Sequence, residues 1–251
     1  IEPVAALLSR KTGRPVRIEQ TRAEDFITTT RNPIRVHLKT GITKDGRFVA
    51  RYAQSILDTG AHATHGAEVV MVHGAFGIFF NYHCPNQRWE GKVVYTNNMV
   101  GGGYRGYGAP QGAFAVESQI DEICEQLGFD KIEFRLRNAR KEGEPHPFNP
   151  AFKLHTYRLG ECMQRGAERI GWQQTKPGTA TGTKRRGIGF AVHPVWVSGC
   201  LGFPDIYEHS GAIVKLNTDG TADIATAAMD IGSGQITALC QIAAEELGLP
   251  M

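Results

Sequence analysis

The chain has 251 residues, of which 41% are hydrophobic and 21% are charged, and its formal net charge is +3. This composition is typical of a globular protein with one large hydrophobic core or two smaller ones. So small a net charge argues against nucleic acid or an anionic membrane as the main partner. No apolar run is as long as a membrane span, and the first residues do not resemble a signal peptide.

The cysteines and histidines are scattered along the chain. There are five cysteines, and no two of them form a CxxC pair. An odd, scattered set favours reduced cysteines in a cytoplasmic protein over a disulfide framework or a zinc site. His62 and His65 are three residues apart, but no third ligand lies at a spacing typical of zinc proteins. The sequence therefore predicts a cytoplasmic protein whose side chains bind no metal ion directly.

The first hundred residues predict a helix followed by strands. A short apolar helix is predicted over 4–9, with Gly13 after it, and a strand is predicted in VRIEQ, residues 16–20. The segment 33–57 alternates apolar and polar residues around Asp-Gly, which predicts a β-hairpin. Another strand is predicted in WEGKVVYTN, residues 89–97, directly before a glycine-rich segment.

The rest of the sequence predicts helices, a linker and a second hairpin. The predicted helices cover 114–127, 130–139, 159–172 and 236–247, and the second hairpin covers 210–229. The polar, basic, Gly- and Thr-rich segment QQTKPGTATGTKRR, residues 173–186, is the predicted linker. It divides the chain into a first domain, 1–172, and the start of a second domain, 187–251.

Two glycine loops have the same plan of strand, glycine turn and helix N-terminus. They are VGGGYRGYGAPQGAF, residues 100–114, and DIGSGQ, residues 230–235. Backbone N–H groups and the helix dipole at such places favour an anionic or strongly hydrogen-bond-accepting ligand. In the first loop Arg105 adds a forked positive charge, and Tyr104 and Tyr107 offer flat faces to a planar ring.

Other interpretations of these loops remain open at this point. A glycine turn between a strand and a helix is often only a tight packing corner, since glycine tolerates positive φ. An RG-rich stretch is also found in RNA-binding segments. Neither loop matches GxxxxGK[ST], and GGGYRG, residues 101–106, has only the bare GxGxxG spacing, which is a weak signal outside a βαβ unit. The loops alone predict a backbone cradle for a polar, planar ligand.

Three longer segments resemble segments of one known family, and they occur in the same order as in that family. GYRGYGAPQGAFAVESQIDEICEQLGFDKIEFRLRN resembles the RGFGxPQ segment of the molybdenum hydroxylases, the xanthine dehydrogenase and aldehyde oxidase family. KTGRPVRIEQTRAEDFITTTRNP resembles an earlier segment of the same family. SGAIVKLNTDGTADIATAAMDIGSGQITALCQIAAEELGLP resembles its second cofactor segment. The resemblance extends over nearly the whole chain.

The resemblance implies a mixed α/β fold, with a cofactor between two elongated domains of the large subunit. The cofactor is molybdopterin, in which the pterin dithiolene holds the molybdenum, so no protein ligand to the metal is expected. The implied reaction is hydroxylation of an electron-poor carbon with water as the oxygen source. Electrons then pass to iron–sulfur clusters and FAD on partner subunits, so a hetero-oligomer is expected.

The resemblance also implies roles for residues of the first loop. Tyr104, Arg105, Gly106 and Gly108 match the loop beside the pterin and the molybdenum. Tyr107 stands where the family usually has a phenylalanine that contacts an aromatic substrate.

Two parts of the sequence depart from the family's pattern: His73, which precedes the first loop, and the second loop. His73 stands near the place where purine-oxidising relatives carry an arginine, which assigns it to the substrate pocket and disfavours the usual binding mode of a purine. In the second loop Ser233 replaces the glutamine that contacts the cofactor, and Gln235 follows two residues later. The predicted cofactor residues of this loop are Ile231, Gly232, Ser233, Gly234 and Gln235.

Two segments of the family are expected outside this sequence. A GGxFGGK loop is expected just before residue 1, and the catalytic glutamate of a GxGE turn is expected well after residue 251. The chain therefore contains no predicted catalytic residue, and it is predicted to be a piece of a longer polypeptide that needs the remainder of the molybdenum subunit. The LGE at 159–161 lies in a predicted helix and is a chance match.

Several substrates and one other class of function fit this pattern. A nitrogen heterocycle or related aromatic is the favoured substrate, followed by an aldehyde or, in a reductive relative, an aromatic coenzyme A ester. The loop GGGYRGYGAP replaces the cysteine-containing loop of the carbon monoxide-oxidising branch and disfavours that branch. A non-catalytic domain that binds a phosphorylated ligand is the alternative outside the family.

Overall fold

The computed structural model describes residues 2–145, 147, 150, 153–173, 182–184, 187–193 and 210–251. The chain divides into two compact units, Ile1–Trp196 and Val197–Met251, which are described separately. Both units combine helices with strands, so the predicted mixed α/β class is confirmed. Most of the predicted linker, 173–186, lies outside the described residues, and the predicted domain boundary stays a prediction.

Two helices precede the sheet of the first unit. Helix α1, Glu2–Thr12, confirms the predicted first helix and ends before Gly13, whose φ is +67°. Helix α2, Arg22–Thr28, begins at a capping box formed by Thr21 and Glu24. The predicted strand at 16–20 is wrong. These residues alternate between half-buried and exposed as a strand would, but within the described part of the chain no strand pairs with them.

A three-stranded sheet in the order β2-β3-β4 forms the centre of the first unit. Its strands are β2, Ile34–Ile42, β3, Phe48–Asp58, and β4, Asn86–Val94. The predicted hairpin is confirmed, since β2 and β3 are antiparallel and Gly46 at the turn has φ +80°. Strand β4 covers most of the predicted 89–97 strand and runs parallel to β3. Two short strands, β1, Thr30–Arg31, and β5, Gly101–Gly102, pair in parallel beside this sheet.

Helices cover one face of the sheet. The crossover from β3 to β4 carries α3, Gly66–Val72, which continues as a π-helical segment, His73–Ile78. The predicted later helices are confirmed as α4, Ala109–Leu127, α5, Lys131–Asn138, and α6, Leu159–Ile170. Within the described residues no helix combines the length and the apolar character needed to cross a lipid bilayer.

The largest core cluster joins the sheet to α4 and the π-helical segment. Its buried members are Phe48, Ala53, Ile78, Phe79, Tyr82, Cys84, Val116, Ile120, Cys124 and Phe134. Phe48 lies edge-on to Phe134 with ring centroids 5.4 Å apart, a favourable aromatic geometry. Burial of this apolar surface fixes α4 on the sheet, and with it the glycine loop that precedes α4.

A buried ion pair joins α4 to α5 beneath this cluster. The Glu117 carboxylate accepts hydrogen bonds from Arg135 Nε at 2.8 Å, Tyr82 Oη at 2.7 Å and the Val192 backbone N–H at 3.1 Å. Burial has the largest single effect and lowers the pKa of the Arg135 guanidinium, but Glu117, Tyr82 and the hydrogen bond to Asp121 together raise that pKa above its usual value. The Arg135 guanidinium therefore stays charged, and its hydrogen-bonding groups are satisfied.

The second unit contains a hairpin and one helix. Strands β6, Ala212–Leu216, and β7, Ala222–Thr226, are antiparallel, with Gly220 at φ +86° in the turn. Helix α7, Gln235–Leu247, follows the second glycine loop and ends at Gly248, whose φ is +66°. The predicted order of hairpin, glycine loop and helix is confirmed. Every side chain of α7 is exposed or half-buried.

We expect the substitution Glu117→Ala to lower the free energy of unfolding by about 3–5 kcal/mol, because it leaves the buried Arg135 guanidinium without its main counter-charge. Urea unfolding of the variant measures this loss. The substitution Arg22→Ala removes an exposed ion pair to Asp25 and serves as the matched control, with little expected effect. Equal stability of the two variants would contradict a structural role for the buried pair.

Candidate cofactor site

The glycines of the first loop are required by contacts within the protein. A Cβ atom added at Gly102 would lie 2.6 Å from Thr29 Oγ1, and one at Gly103 would lie 2.7 Å from Tyr107 Cε2. Added Cβ atoms at Gly101, Gly106 and Gly108 would also collide, with Asn32, with Pro110 and with the carbonyl oxygen of Val69, respectively. The loop is therefore a tight packing corner on its inner side.

Gly108 is the most constrained of these glycines. Its φ is +98°, and its position directly before α4 brings it against the backbone of α3. A Cβ atom here would collide with the Val69 carbonyl oxygen and would lie 3.1 Å from His73 Cβ. Since a backbone carbonyl inside a helix cannot move aside, only glycine fits at this position.

The outer side of the first loop presents the predicted cofactor residues. Tyr104 is 55% exposed, Arg105 is also exposed, and Gly106 is half-buried with φ +87°. Among the described residues no side chain caps the N-terminus of α4, where the Ala109 N–H donates to the Gly106 carbonyl oxygen at 2.9 Å. A positive side chain beside an uncapped helix N-terminus attracts an anionic group. The outer face of the loop therefore fits the anionic part of a cofactor.

Arg31, at the end of β1, contacts this loop from outside and was not assigned a role from the sequence. Its Nη1 donates to Gln111 Oε1 at 3.0 Å, and its Nη2 donates to the Arg105 carbonyl oxygen at 3.1 Å. Its guanidinium lies over the Tyr104 ring, 4.2 Å from the centroid. Burial lowers the pKa of Arg31, the Arg105 charge lowers it further, and Tyr104 opposes the shift. Arg31 lies near the end of KTGRPVRIEQTRAEDFITTTRNP, a segment that resembles the family, but its sequence neighbours do not indicate these contacts.

Tyr107 is held in a strained conformation inside the loop. Its φ is +48°, and it is the one residue other than glycine with positive φ in the part of the chain that the structure describes. Its hydroxyl is hydrogen-bonded to His65 Nδ1, and the two rings meet edge-on with centroids 5.5 Å apart. The ring packs beside Leu57, Val69 and Val70. Burial and the nearby Glu68 charge raise the pKa of the Tyr107 phenol.

His73 lies behind the loop, inside the core. Its side chain is fully buried, its Nε2 is 3.0 Å from Ser55 Oγ, and its Nδ1 is 3.3 Å from the Gly108 carbonyl oxygen. A carbonyl only accepts, so Nδ1 carries the proton and Nε2 accepts from Ser55. Burial lowers the pKa of His73 to about 4, although the Gly108 contact opposes the shift. These contacts support a structural role, and the assignment of His73 to the substrate pocket stays a prediction.

The second glycine loop is held by an aspartate that the sequence reasoning overlooked. Asp230 Oδ1 accepts hydrogen bonds from the backbone N–H groups of Gly232, at 2.7 Å, and Gly234, at 3.2 Å. These glycines have φ +90° and +76°. The side chains of the predicted residues Ile231, Ser233 and Gln235 are exposed. The loop therefore has a fixed backbone and an open outer surface before α7.

Metal ligands form no cluster in the described part of the chain, where no three His, Cys, Asp or Glu side chains are close enough to hold an ion. The His65 ring is hydrogen-bonded to the Tyr107 hydroxyl, and the His62 backbone carbonyl accepts from Thr59 Oγ1.

A family model described as a molybdopterin cofactor-binding domain matches residues 1–139, and a second with the same description matches residues 165–251. The two matches contain the two glycine loops. This chain belongs to the molybdopterin cofactor-binding family. Its cofactor is therefore molybdopterin, as the sequence resemblance implied.

Named relatives of this family resemble the chain along its whole length. The xanthine dehydrogenase molybdenum-binding subunit of Escherichia coli O157:H7 is 34% identical over 254 residues, which is 100% of this chain and 33% of that protein. The aldehyde oxidoreductase of Megalodesulfovibrio gigas is 32% identical over 239 residues, 93% of this chain and 25% of that protein. The chain spans a third or less of these relatives' length.

A solved structure also resembles this chain along nearly its whole length. The crystal structure of quinoline 2-oxidoreductase from Pseudomonas putida 86 matches with a TM-score of 0.74 and 26% identity. The match covers 97% of this chain and 32% of that one. The fold of the molybdopterin cofactor-binding family is thus found in an oxidoreductase of known structure.

The two ends of α4 allow a matched test of the close packing at Gly108. We expect Gly108→Ala to lower the free energy of unfolding by about 3 kcal/mol or more, because backbone strain adds to the collision with the Val69 carbonyl. The control is Gly128→Ala at the other end of α4, where φ is +75° and the space is open. It should cost only about 1 kcal/mol. Equal losses in urea unfolding would show that the loop is not closely packed.

The buried His73 predicts a dependence of stability on pH. Its folded pKa of about 4 lies below the unfolded value of about 6.5, so the unfolded chain binds the extra proton first. The contribution of His73 is fully present above pH 6.5, and about 3 kcal/mol should be lost as the pH falls to 4. His73→Gln should remove this part of the pH dependence in urea unfolding. The exposed variant His37→Gln, which should keep the wild-type profile, is the control.

Proposed function

We propose that this chain is the molybdopterin-binding part of a molybdenum hydroxylase that hydroxylates a nitrogen heterocycle or a related aromatic compound. The observation that carries the proposal is the match of both glycine loops to the cofactor-binding family, together with the exposed Tyr104 and Arg105 on the first loop. The similarity to proteins named for xanthine and quinoline supports the substrate class.

The outer faces of the loops carry the residues that would hold the cofactor. In the first loop these are Tyr104, Arg105, Gly106 and Gly108, with the uncapped N-terminus of α4. In the second loop they are Ile231, Gly232, Ser233, Gly234 and Gln235. Arg105 supplies positive charge for an anionic group, and the backbone and side-chain donors of Ser233 and Gln235 supply hydrogen bonds. When bound, the molybdenum centre supplies the oxidation of an electron-poor carbon, with water as the oxygen source.

Tyr107 is the residue of this chain proposed to orient the substrate. A flat ring packs on an aromatic side chain without losing hydrogen bonds, and a fixed partner lowers the entropic cost of orientation. The strained backbone of Tyr107 and its hydrogen bond to His65 hold the phenol ring in one position. The hydroxyl, absent from the usual phenylalanine, makes this part of the pocket more polar. His73, also assigned to the pocket from the sequence, is buried behind the loop and is hydrogen-bonded to the Gly108 carbonyl oxygen.

The remaining parts of the enzyme are proposed to lie on other segments and subunits. The catalytic base is expected in the remainder of the molybdenum subunit, since the chain spans a third or less of its relatives. Electrons are proposed to leave through an iron–sulfur subunit and a flavin subunit, in a cytoplasmic hetero-oligomer. A second candidate is an aldehyde oxidoreductase, which the similarity to the Megalodesulfovibrio gigas protein favours.

The first experiment is elemental analysis for molybdenum, with pterin fluorescence after oxidation, on the native complex purified with its associated subunits. We expect about one molybdenum and one pterin per chain. An intact complex without molybdenum would contradict the proposal and favour a non-catalytic domain that binds another ligand. Turnover of N-heterocycles and of aldehydes by the same preparation then separates the two candidate activities.

A further inference from the structure

We propose that Arg31 is a positioning residue that holds the first glycine loop in the conformation that binds the cofactor. The proposal rests on the proposed function and adds to it a residue of β1, outside both glycine loops. Arg31 is separated from the loop by more than seventy positions in sequence, so its contacts form only in the folded chain.

The Arg31 guanidinium makes two hydrogen bonds and one cation–π contact with residues 104–111. One arm donates to the Gln111 side chain in the first turn of α4, and the other donates to the Arg105 backbone carbonyl. The flat face lies on the Tyr104 ring. Gln111 in turn donates to the Asn32 carbonyl oxygen at 3.2 Å. This geometry needs the planar fork of arginine, because the single ammonium of lysine cannot donate in two fixed directions and stack at once.

The bond to the Arg105 carbonyl has a direct consequence for the Arg105 side chain. It fixes the peptide that follows Cα of Arg105, while the stacked Tyr104 ring fixes the residue before it. The proposed anion-binding side chain is therefore attached to a backbone that is already held in place. Preorganisation of this kind lowers the entropic cost of binding.

The charges of the two arginines support the same conclusion. The Arg105 charge lowers the pKa of Arg31, with a smaller effect than that of burial and that of Tyr104, which opposes it. An anionic group bound at Arg105 offsets this repulsion. Bound cofactor and the contacts of Arg31 therefore stabilise each other.

The test compares Arg31→Lys and Arg31→Gln with wild type in the native complex. The matched control is Arg35→Gln, which removes an exposed arginine four residues along the chain. The readout is the rate at which pterin and molybdenum leave the folded complex during dialysis. We expect both Arg31 variants to lose cofactor about tenfold faster than wild type, the factor that about 1.4 kcal/mol corresponds to. The control should lose it at the wild-type rate.

Three results would overturn the proposal. Retention of cofactor by Arg31→Lys at the wild-type rate would show that positive charge alone is sufficient. Retention by Arg31→Gln would show that the contacts are not used. A lower melting temperature, with unchanged cofactor loss from the molecules that stay folded, would show that Arg31 only stabilises the fold.

Hydrogen exchange of the amides of residues 101–108 separates this proposal from the proposed function. Faster exchange in Arg31→Gln than in Arg35→Gln is expected with or without cofactor, because local opening of the loop becomes easier. Equal exchange in the two variants would overturn the role of Arg31. Absence of molybdenum from the wild-type complex would contradict the proposed function instead, and the exchange measurement would still decide whether Arg31 holds the loop.

Discussion

The neutral imidazole of His73 fixes the glycine loop to the sheet. Trp89 Nε1 donates to Ser55 Oγ at 3.2 Å, Ser55 donates to His73 Nε2, and His73 Nδ1 donates to the Gly108 carbonyl oxygen. This chain of bonds joins two strands, a helix and the loop through buried groups, in which an unpaired polar atom would be costly. Gly108 is the last residue before α4, so its position sets the start of that helix.

The loop is consequently held from two sides by different kinds of contact. On its inner side, buried hydrogen bonds and close packing leave no space for a Cβ atom, so the loop needs glycine there. On its outer side, the guanidinium of Arg31 contacts Tyr104, the Arg105 carbonyl oxygen and Gln111. The glycines thus serve the protein's own packing, and the exposed Tyr104 and Arg105 are the residues proposed to bind the cofactor. A rigid support below a few exposed groups is the usual arrangement of a specific binding site.

Local sequence patterns predicted most of the elements, because turns and caps depend on neighbouring residues. Asp-Gly at Gly46 and the glycine stop at Gly128 specify their structures without help from the rest of the chain. The capping box at Thr21 was also visible, but α2 was overlooked. The strand at 16–20 was wrongly predicted, since alternation does not show whether a partner strand is present. Helix α3 and the π-helical segment were not predicted, because three glycines within residues 66–78 disfavour a helix.

Some features of the candidate site could also be predicted from the sequence, and others could not. The glycine loops and Arg105 could be found from their pattern and from the family resemblance, whereas the contacts of Arg31 connect positions more than seventy residues apart. Short sequence patterns do not predict contacts between residues so far apart. The hydrogen bonds that Asp230 accepts are local, and an aspartate directly before a glycine turn predicts them. The contacts of Arg31 depend on the tertiary fold.

The left-handed backbone of Tyr107 has a consequence for how this protein can change. A bulky side chain in that conformation costs about 1–3 kcal/mol, whereas glycine or asparagine adopts it at little cost. Mutations toward those residues relieve strain but remove the ring and its bond to His65. At this position an unstrained backbone and the ring proposed to orient the substrate are therefore alternatives.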